Sequence, residues 1–454
     1  MKNSVKFNEQ FPDISISNQL YERALPLIPG ATQTLAKGPG QYVQGIAPKY
    51  LVRGEGSHVW DADGNEFLDY NMGIGPISLG YAFPAVDSAI IEQLKNGITF
   101  SMMHPLEVEV AELIHEVIPN SESIRFSKTG ADVTSAAIRL ARAFTGKQKV
   151  LCCGYHGWHD WYIGVTDRNA GIPNEIKNLS YTFNYNDLPS LLSSIDEEVA
   201  AIILEPVVFE EPKNNFLNDL REICNRYGIV LIFDEMWTGF RMSLGGAQEY
   251  FNIKADLACF SKAVANGMPL SILTGKKEIM QLLEKEVFFF TTFGGEALSL
   301  AAAKATIQFM KDNNVQQYLS KQGKKLKEGL NYLALKLDMS YIKCKGYNFR
   351  SIVSFDSSEG NPLDLKSLVQ QELIKRGIIW SGFHNMSYSH TSPDIDYTLS
   401  AYAEVLPILK KAVEEKNVSK YLLGKPVEPV FRKVENFNVK PRKMAVKIFD
   451  DYKT

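Results

Sequence analysis

Five consecutive apolar residues, Ile229 to Phe233, closed by Asp234, constrain this chain more than any other stretch. A short apolar run without alternation is the mark of a strand covered on both faces, as in a parallel sheet packed between helices. The terminal carboxylate is the costly part. Next to so much hydrocarbon an ionised Asp needs a permanent cationic partner, because desolvation alone raises its pKa and neutralises it. Further on, Ala255 to Phe260 repeats the pattern and ends in Ser261-Lys262, followed by the small or turn-forming residues Ala263, Ala265, Gly267 and Pro269. A lysine among such neighbours is poorly hydrated, which favours the neutral nucleophilic amine of Schiff-base chemistry.

Val199 to Leu204 is a further buried-strand run, ending in Glu205-Pro206, and the helical pattern Leu217 to Tyr227 leads from it to the Asp234 strand. This is a βαβ unit, and in open α/β sheets ligands bind beyond the carboxyl ends of the strands. Glu205, Asp234 and Lys262 all fall at such ends. The clearest helix runs from Asp132 to Thr145, with Val133, Ala136, Ala137, Leu140, Ala141 and Phe144 on one face and Gly146 as its stop. Before it, Ser127 to Ala131 forms a small-residue turn whose exposed amides offer an anion site, although an ordinary capped helix explains the turn equally well. The strand Val150 to Gly154 runs into Tyr155-His156-Gly157-Trp158-His159-Asp160-Trp161. Aromatics and imidazoles this dense suit a flat ligand, and a metal site from His156, His159 and Asp160 is disfavoured because no HExxH pattern accompanies it. Thr292 with Gly294-Gly295 offers a second anion-binding turn before the helix Ala297 to Asp312. A nicotinamide-binding fold is the weakest alternative, since Gly73 and Gly75 do not belong to a GxGxxG turn after a strand.

Composition narrows the partners. The formal net charge of -3 provides no field for nucleic acid or anionic lipid, and no apolar run reaches bilayer length. A cytoplasmic protein acting on small polar metabolites is expected. The five cysteines form no CxxC pair, so buried reduced thiols are expected and no cysteine zinc site.

Around this centre, Asn18 to Leu27 reads as a short helix, Tyr50 to Tyr70 as a hairpin turning at Asp63-Gly64, and Phe83 to Lys95 as a helix. An amphipathic helix from Gln317 to Leu337 precedes strands at Ser351 to Phe355 and Ile378 to Trp380 and helices at Leu363 to Arg376 and Ile395 to Glu415, the pattern of an α+β domain. The expected division is an N-terminal segment of a small domain over 1–75, a large ligand-binding domain over 76–330, a C-terminal small domain over 331–422 and an extension over 423–454. That extension is Pro- and charge-rich and is expected to wrap a neighbour or stay partly disordered.

Six motifs occur in order: TGADVTSAAIRLARAFTG from 129, YHGWHD from 155, LEP from 204, FDEMWTGFR from 233, SKAVANGMPLS from 261 and TTFGGEALSLAAA from 291. With IPGATQT and VWDADGNEFLDY, they make the chain from Tyr21 to Glu415 resemble the class III aminotransferases, pyridoxal-phosphate enzymes of fold type I, within them the glutamate-1-semialdehyde aminomutase branch. The resemblance implies an α/β large domain with a mostly parallel sheet flanked by helices, and a small α+β domain formed by both chain ends. It implies Lys262 as the covalent anchor and proton carrier, Asp234 as the partner of the protonated ring nitrogen, and Glu205 as an acid near both. Thr129, Gly130 and Ala131 would bind the phosphate. Tyr155 would stack on the ring with His156 beside it, and Thr292 would reach the phosphate of the second subunit of a homodimer with shared active sites.

The departures from the family pattern concern the substrate. Thr129-Gly130-Ala131-Asp132 stands where Ser-Gly-Thr-Glu is usual, Thr34 and Lys37 stand where the aminomutase has a carboxylate-binding serine and arginine, and Met72-Gly73-Ile74-Gly75-Pro76 lacks a tryptophan. Lysine is a point charge and does not replace a planar fork. The expectation is an intermolecular transaminase moving an amino group from an amino acid, glutamate, to a ketone or aldehyde of a polar, sugar-like metabolite, with Thr34, Lys37, Trp158 and Glu296 as substrate residues. The alternative is intramolecular amino transfer of the aminomutase type.

Overall fold

The apolar runs are strands: Val199–Leu204, Val230–Asp234 and Leu257–Phe260 are buried along their whole length. They lie side by side in a seven-stranded sheet, in the order Ser123–Ser127, Ser271–Gly275, Leu257–Phe260, Val230–Asp234, Val199–Leu204, Lys149–Cys153, Ser180–Thr182. Neighbours are parallel except on either side of Ser271–Gly275. That strand is fully buried although Ser271 and Thr274 interrupt its apolar pattern, and Thr274 satisfies its hydroxyl by donating to Asn120 Oδ1 at 2.8 Å. The register pairs Cys153 with Leu204, Leu204 with Phe233, and Asp234 with Cys259. Tyr155, Glu205, Asp234 and Lys262 therefore follow the carboxyl ends of four neighbouring parallel strands, in that spatial order.

The helix Gly130–Thr145 covers this sheet with Val133, Ala136, Ala137, Leu140 and Ala141 buried, whereas Phe144 is exposed. Thr129 caps it in a reciprocal box with Asp132, and Gly146 ends it in the left-handed conformation at φ 69°. All five cysteines are free and buried.

The computed structural model describes residues 7–429, so the expected extension over 423–454 lies outside the described residues from 430 onward. The chain divides into two compact units, one of them Ala85–Asn313 with the large sheet, the other built from residues up to Pro84 and from Asn314. In the second, Leu51–Glu55, His58–Asp61 and Glu66–Asp69 form antiparallel hairpins joined in parallel by Ile378–Ile379. A three-stranded sheet of Ile342–Tyr347, Arg350–Phe355 and Phe383–Asn385 accompanies it, with the helices Val315–Lys336, Pro362–Lys375 and Ser392–Glu414. Among the described residues no helix is long and apolar enough to cross a membrane.

Two histidines are fully buried in this second unit. His390 Nδ1 accepts from the Ser387 amide at 3.0 Å and Nε2 donates to Asp69 O at 3.2 Å, so the neutral ring is satisfied at both ends. His384 lies between Tyr402 Oη at 2.8 Å and Ser351 Oγ at 3.1 Å. Burial pushes His390 down to about 4 and His384 down to about 3. Because both folded values lie below the unfolded one, their contribution to stability is complete above about pH 6.5 and is lost as the pH falls through that value toward the folded ones. Each histidine should cost up to about 1.4 kcal/mol per pH unit in that window. Urea unfolding at pH 7 and pH 5 should show a smaller acid loss in His390→Asn than in the parent; equal losses would contradict the assignment.

Candidate active site

The Asp234 carboxylate is almost wholly buried, and the fold supplies two donors to it. Its Oδ1 accepts from the Met236 amide at 3.1 Å, and its Oδ2 lies 2.7 Å from His156 Nδ1. A carboxylate can only accept, so Nδ1 carries the hydrogen and Nε2 is left at the other end of a buried ring. Nε2 has no hydrogen-bond partner among the described residues. Trp161 stacks at 15° to the imidazole and Tyr162 meets it edge-on, which fixes the ring's orientation. The next residue, Glu235, turns the other way, as alternation along a strand requires. It accepts from the Thr238 hydroxyl and from the amides of Ala247 at 2.8 Å and Gln248 at 3.0 Å, holding the start of the helix Gly246–Phe251. Burial pushes its carboxyl up to about 7 despite those bonds.

The turn at Thr129 is built from its own polar groups. Asp132 Oδ2 accepts from Ser127 Oγ at 2.9 Å and the Thr129 amide at 2.8 Å, while Thr129 Oγ1 accepts from the Asp132 amide. The amides of Gly130 and Ala131 then belong to the first helical turn, where the helix itself offers no acceptor. Two close approaches shape this end. A Cβ on Gly130 would stand 2.9 Å from Met236 Sδ, and one on Gly157 would stand 2.7 Å from the Ala131 Cβ. Gly157 also has φ +108°, so only glycine lets the 154–158 loop lie against the helix. Thr134 Oγ1 ties the same loop down by donating to His156 O at 2.8 Å.

Glu205 Oε1 accepts from the Tyr155 amide at 2.8 Å, and a Cβ on Gly154 would meet that oxygen at the same distance. The Tyr155 side chain is half exposed, and its hydroxyl is raised by burial and then by Asp234, which places the phenol in the field of that carboxylate. Lys262 has φ 47°, a left-handed conformation that costs a residue with a side chain about 1–2 kcal/mol, and its Nζ lies 3.8 Å from the centre of the Trp237 ring. Trp158 is exposed, and Thr292 is exposed in the segment before the helix Ala297–Asp312. Thr34 and Lys37 are exposed in the other unit, where Thr34 O accepts from the Lys37 amide at 3.0 Å. Glu296 is bound to Lys128, a residue that sequence reasoning passed over because it sits between two turn-formers without a pattern of its own. Among the described residues no group of three His, Cys, Asp or Glu side chains is placed to hold a metal ion.

A buried carboxylate, a lysine and a helix N-terminus at adjoining strand ends are, on this sheet order, the layout of a fold type I pyridoxal-phosphate transferase. The chain belongs to the class-III aminotransferases, whose family model matches residues 43–413. It is similar to the 3-aminobutyryl-CoA aminotransferase of Cloacimonas acidaminovorans, with 35% identity over 408 residues covering 87% of this chain and 97% of the relative. It is also similar to the glutamate-1-semialdehyde 2,1-aminomutase of Archaeoglobus fulgidus, with 33% identity covering 86% of this chain and 99% of the relative. Among solved structures, the FumI protein of Sphingopyxis sp. MTA144 in its PLP internal aldimine form aligns at a TM-score of 0.82 and 26% identity, over 90% of this chain and 98% of that one. The protein is a pyridoxal-phosphate-dependent aminotransferase.

Gly157→Ala should destabilise the protein by about 1–3 kcal/mol, through a strained backbone and a clash at Ala131. Equilibrium urea unfolding measures it, and a change within a few tenths of a kcal/mol would show that the loop has room to move.

Proposed function

We propose that the protein is an intermolecular transaminase that takes an amino group from glutamate and delivers it to a ketone or aldehyde of a polar, hydroxylated metabolite. The observation that carries this reading is the buried Asp234–His156 pair at the same sheet edge as Lys262. The residues present fit pyridoxal phosphate: a buried carboxylate suits a cationic ring nitrogen, the buried Nε2 of His156 has no partner among the described residues, and first-turn amides suit an anion. When bound, the cofactor supplies an aldehyde that condenses with amines and a pyridinium ring that takes up an electron pair.

Asp234, oriented by His156 and the Met236 amide, holds the proton on the ring nitrogen by its charge. Lys262 would be the residue that holds the cofactor covalently, and its Nζ would be the base that carries the proton to and from the substrate carbon. The face of Trp237 limits where that amine rests. The Thr129 hydroxyl and the Gly130 and Ala131 amides hold the phosphate, and Tyr155, fixed by Glu205 at its backbone, covers the ring. Thr34, Lys37 and Trp158 are our candidates for substrate contacts.

A homodimer completes the reading. Thr292 is exposed beside Phe288, Phe290 and Phe293, which are 54–73% exposed, and Met103 is 82% exposed. Exposed apolar side chains of this kind support an interface with a second copy of the chain, whose cofactor Thr292 would reach. The balanced charge supports a cytoplasmic setting.

The resemblance to aminomutases supports the second reading, intramolecular transfer between adjacent carbons. Mixing the enzyme with glutamate should release a keto acid and bleach the bound cofactor's absorbance, and a panel of hydroxylated ketones should restore it. Restoration by glutamate-1-semialdehyde alone, without release of keto acid, would favour the aminomutase instead. Lys262→Ala should lose the cofactor attachment that borohydride fixes and lower transamination by at least about 10³-fold.

A further inference from the structure

The one described ion pair that joins the Thr129 turn to the Thr292 turn is Lys128–Glu296. Lys128 Nζ lies 2.8 Å from Glu296 Oε1, and both side chains are largely buried, at 18% and 10% exposure. Glu296 is committed at both oxygens. Oε1 also accepts from the Ser299 amide at 3.0 Å and Oε2 from the Leu298 amide at 2.8 Å, so the carboxylate caps the helix Ala297–Asp312. Burial raises its carboxyl, and the bonds from Lys128 and Ser299 more than reverse this, leaving it below the ordinary value. The turn has further seats. A Cβ on Gly294 would stand 2.9 Å from Phe126 O on the strand leading to Lys128, and one on Gly295 would stand 2.6 Å from the Glu107 carboxylate. The Ala297 amide donates to Ile98 O at 2.9 Å.

We propose that Lys128 and Glu296 are positioning residues that lock the turn carrying Thr292 onto the strand end carrying Thr129, so that both phosphate-binding turns of one subunit form a single rigid body. This rests on the assignment of Thr129–Ala131 and Thr292 to cofactor phosphates. A flexible turn at either place would lose ordering entropy on each encounter with the phosphate, and the pair removes that loss in advance. Lys128 is engaged by Glu296 and acts on the phosphate through the turn geometry. Glu296, a candidate substrate residue on sequence grounds, is assigned here to the scaffold, because both its oxygens are taken by the helix start and Lys128.

The test is cofactor retention by the holoenzyme, followed as loss of its absorbance on dilution, in Lys128→Met, Glu296→Gln, the double variant, Lys128→Arg and Thr129→Ala. Lys128→Met and Glu296→Gln should each weaken retention about tenfold, a coupling of the size found for contacting residues, and the double variant should be no worse than the poorer single one. Lys128→Arg should retain the cofactor nearly as the parent does. Glu296→Gln distinguishes the tie from direct ligation: if Lys128 were a phosphate ligand restrained by Glu296, neutralising Glu296 would tighten retention. Tighter retention, or additive losses in the double variant, would overturn the proposal. If Thr129→Ala leaves retention unchanged, the underlying phosphate assignment fails; if it weakens retention while the Lys128 and Glu296 variants do not, the tie alone fails. Thermal midpoints of the cofactor-free proteins separate loss of the helix cap, confined to the Glu296 variants, from loss of the tie.

Discussion

The site depends on one carboxylate buried at the end of a central strand, Asp234. Removing the partner of a buried charge costs about 3–5 kcal/mol, so Asp234 cannot be left to itself at the end of an apolar strand. The fold meets this in two stages. His156 and the Met236 amide orient the oxygens within the protein, and in the function we propose the ring nitrogen of the cofactor would supply the cationic charge.

The same edge explains why glycine and alanine crowd it. Gly130, Gly154 and Gly157 each stand where a Cβ would fall within 3 Å of Met236, Glu205 or Ala131. These close approaches let the segments that follow four different strands lie flush against one another. Glycine at these positions is what permits the backbones to come so close. Rigidity follows from the same packing, since the Thr129 and His156 segments cannot move apart without giving up the Thr134 bond to the loop.

Much of this was legible because it is local. Val199–Leu204 is one uninterrupted apolar run, and its strand has those bounds. The Thr129 cap and the Gly146 stop are short-range signals, written within one helix. Ser271–Gly275 escaped because Ser271 and Thr274 break its apolar run, and the partner that satisfies Thr274, Asn120, lies in no window around the strand. Ile342–Tyr347 escaped because its lysines alternate with its buried residues and resemble a polar linker. Contacts made across the fold were invisible for the same reason: His156 and Asp234 are 78 positions apart, and Lys128 and Glu296 are 168. Residue types announced the chemistry at Asp234 and Lys262, whereas the partners that make those residues work could be found only by folding the chain.

That contrast bears on how specificity is built. The acidic groups at and beside the strand ends are fixed by bonds inside the unit Ala85–Asn313: Asp234 by His156, Glu205 by Tyr155, and the scaffold residue Glu296 by Lys128. A change among them disturbs an already satisfied network and should harm the common chemistry of every substrate. Thr34, Lys37 and Trp158 are exposed and carry no such network, so they can vary without damaging the machinery. Relatives this similar carry different names, a 3-aminobutyryl-CoA aminotransferase and a glutamate-1-semialdehyde 2,1-aminomutase, as expected where one fold hosts several activities. Lys37 belongs to this exposed set, and in the function we propose its point charge would select a different oxygen pattern from the planar fork of an arginine without touching the buried groups at the strand ends.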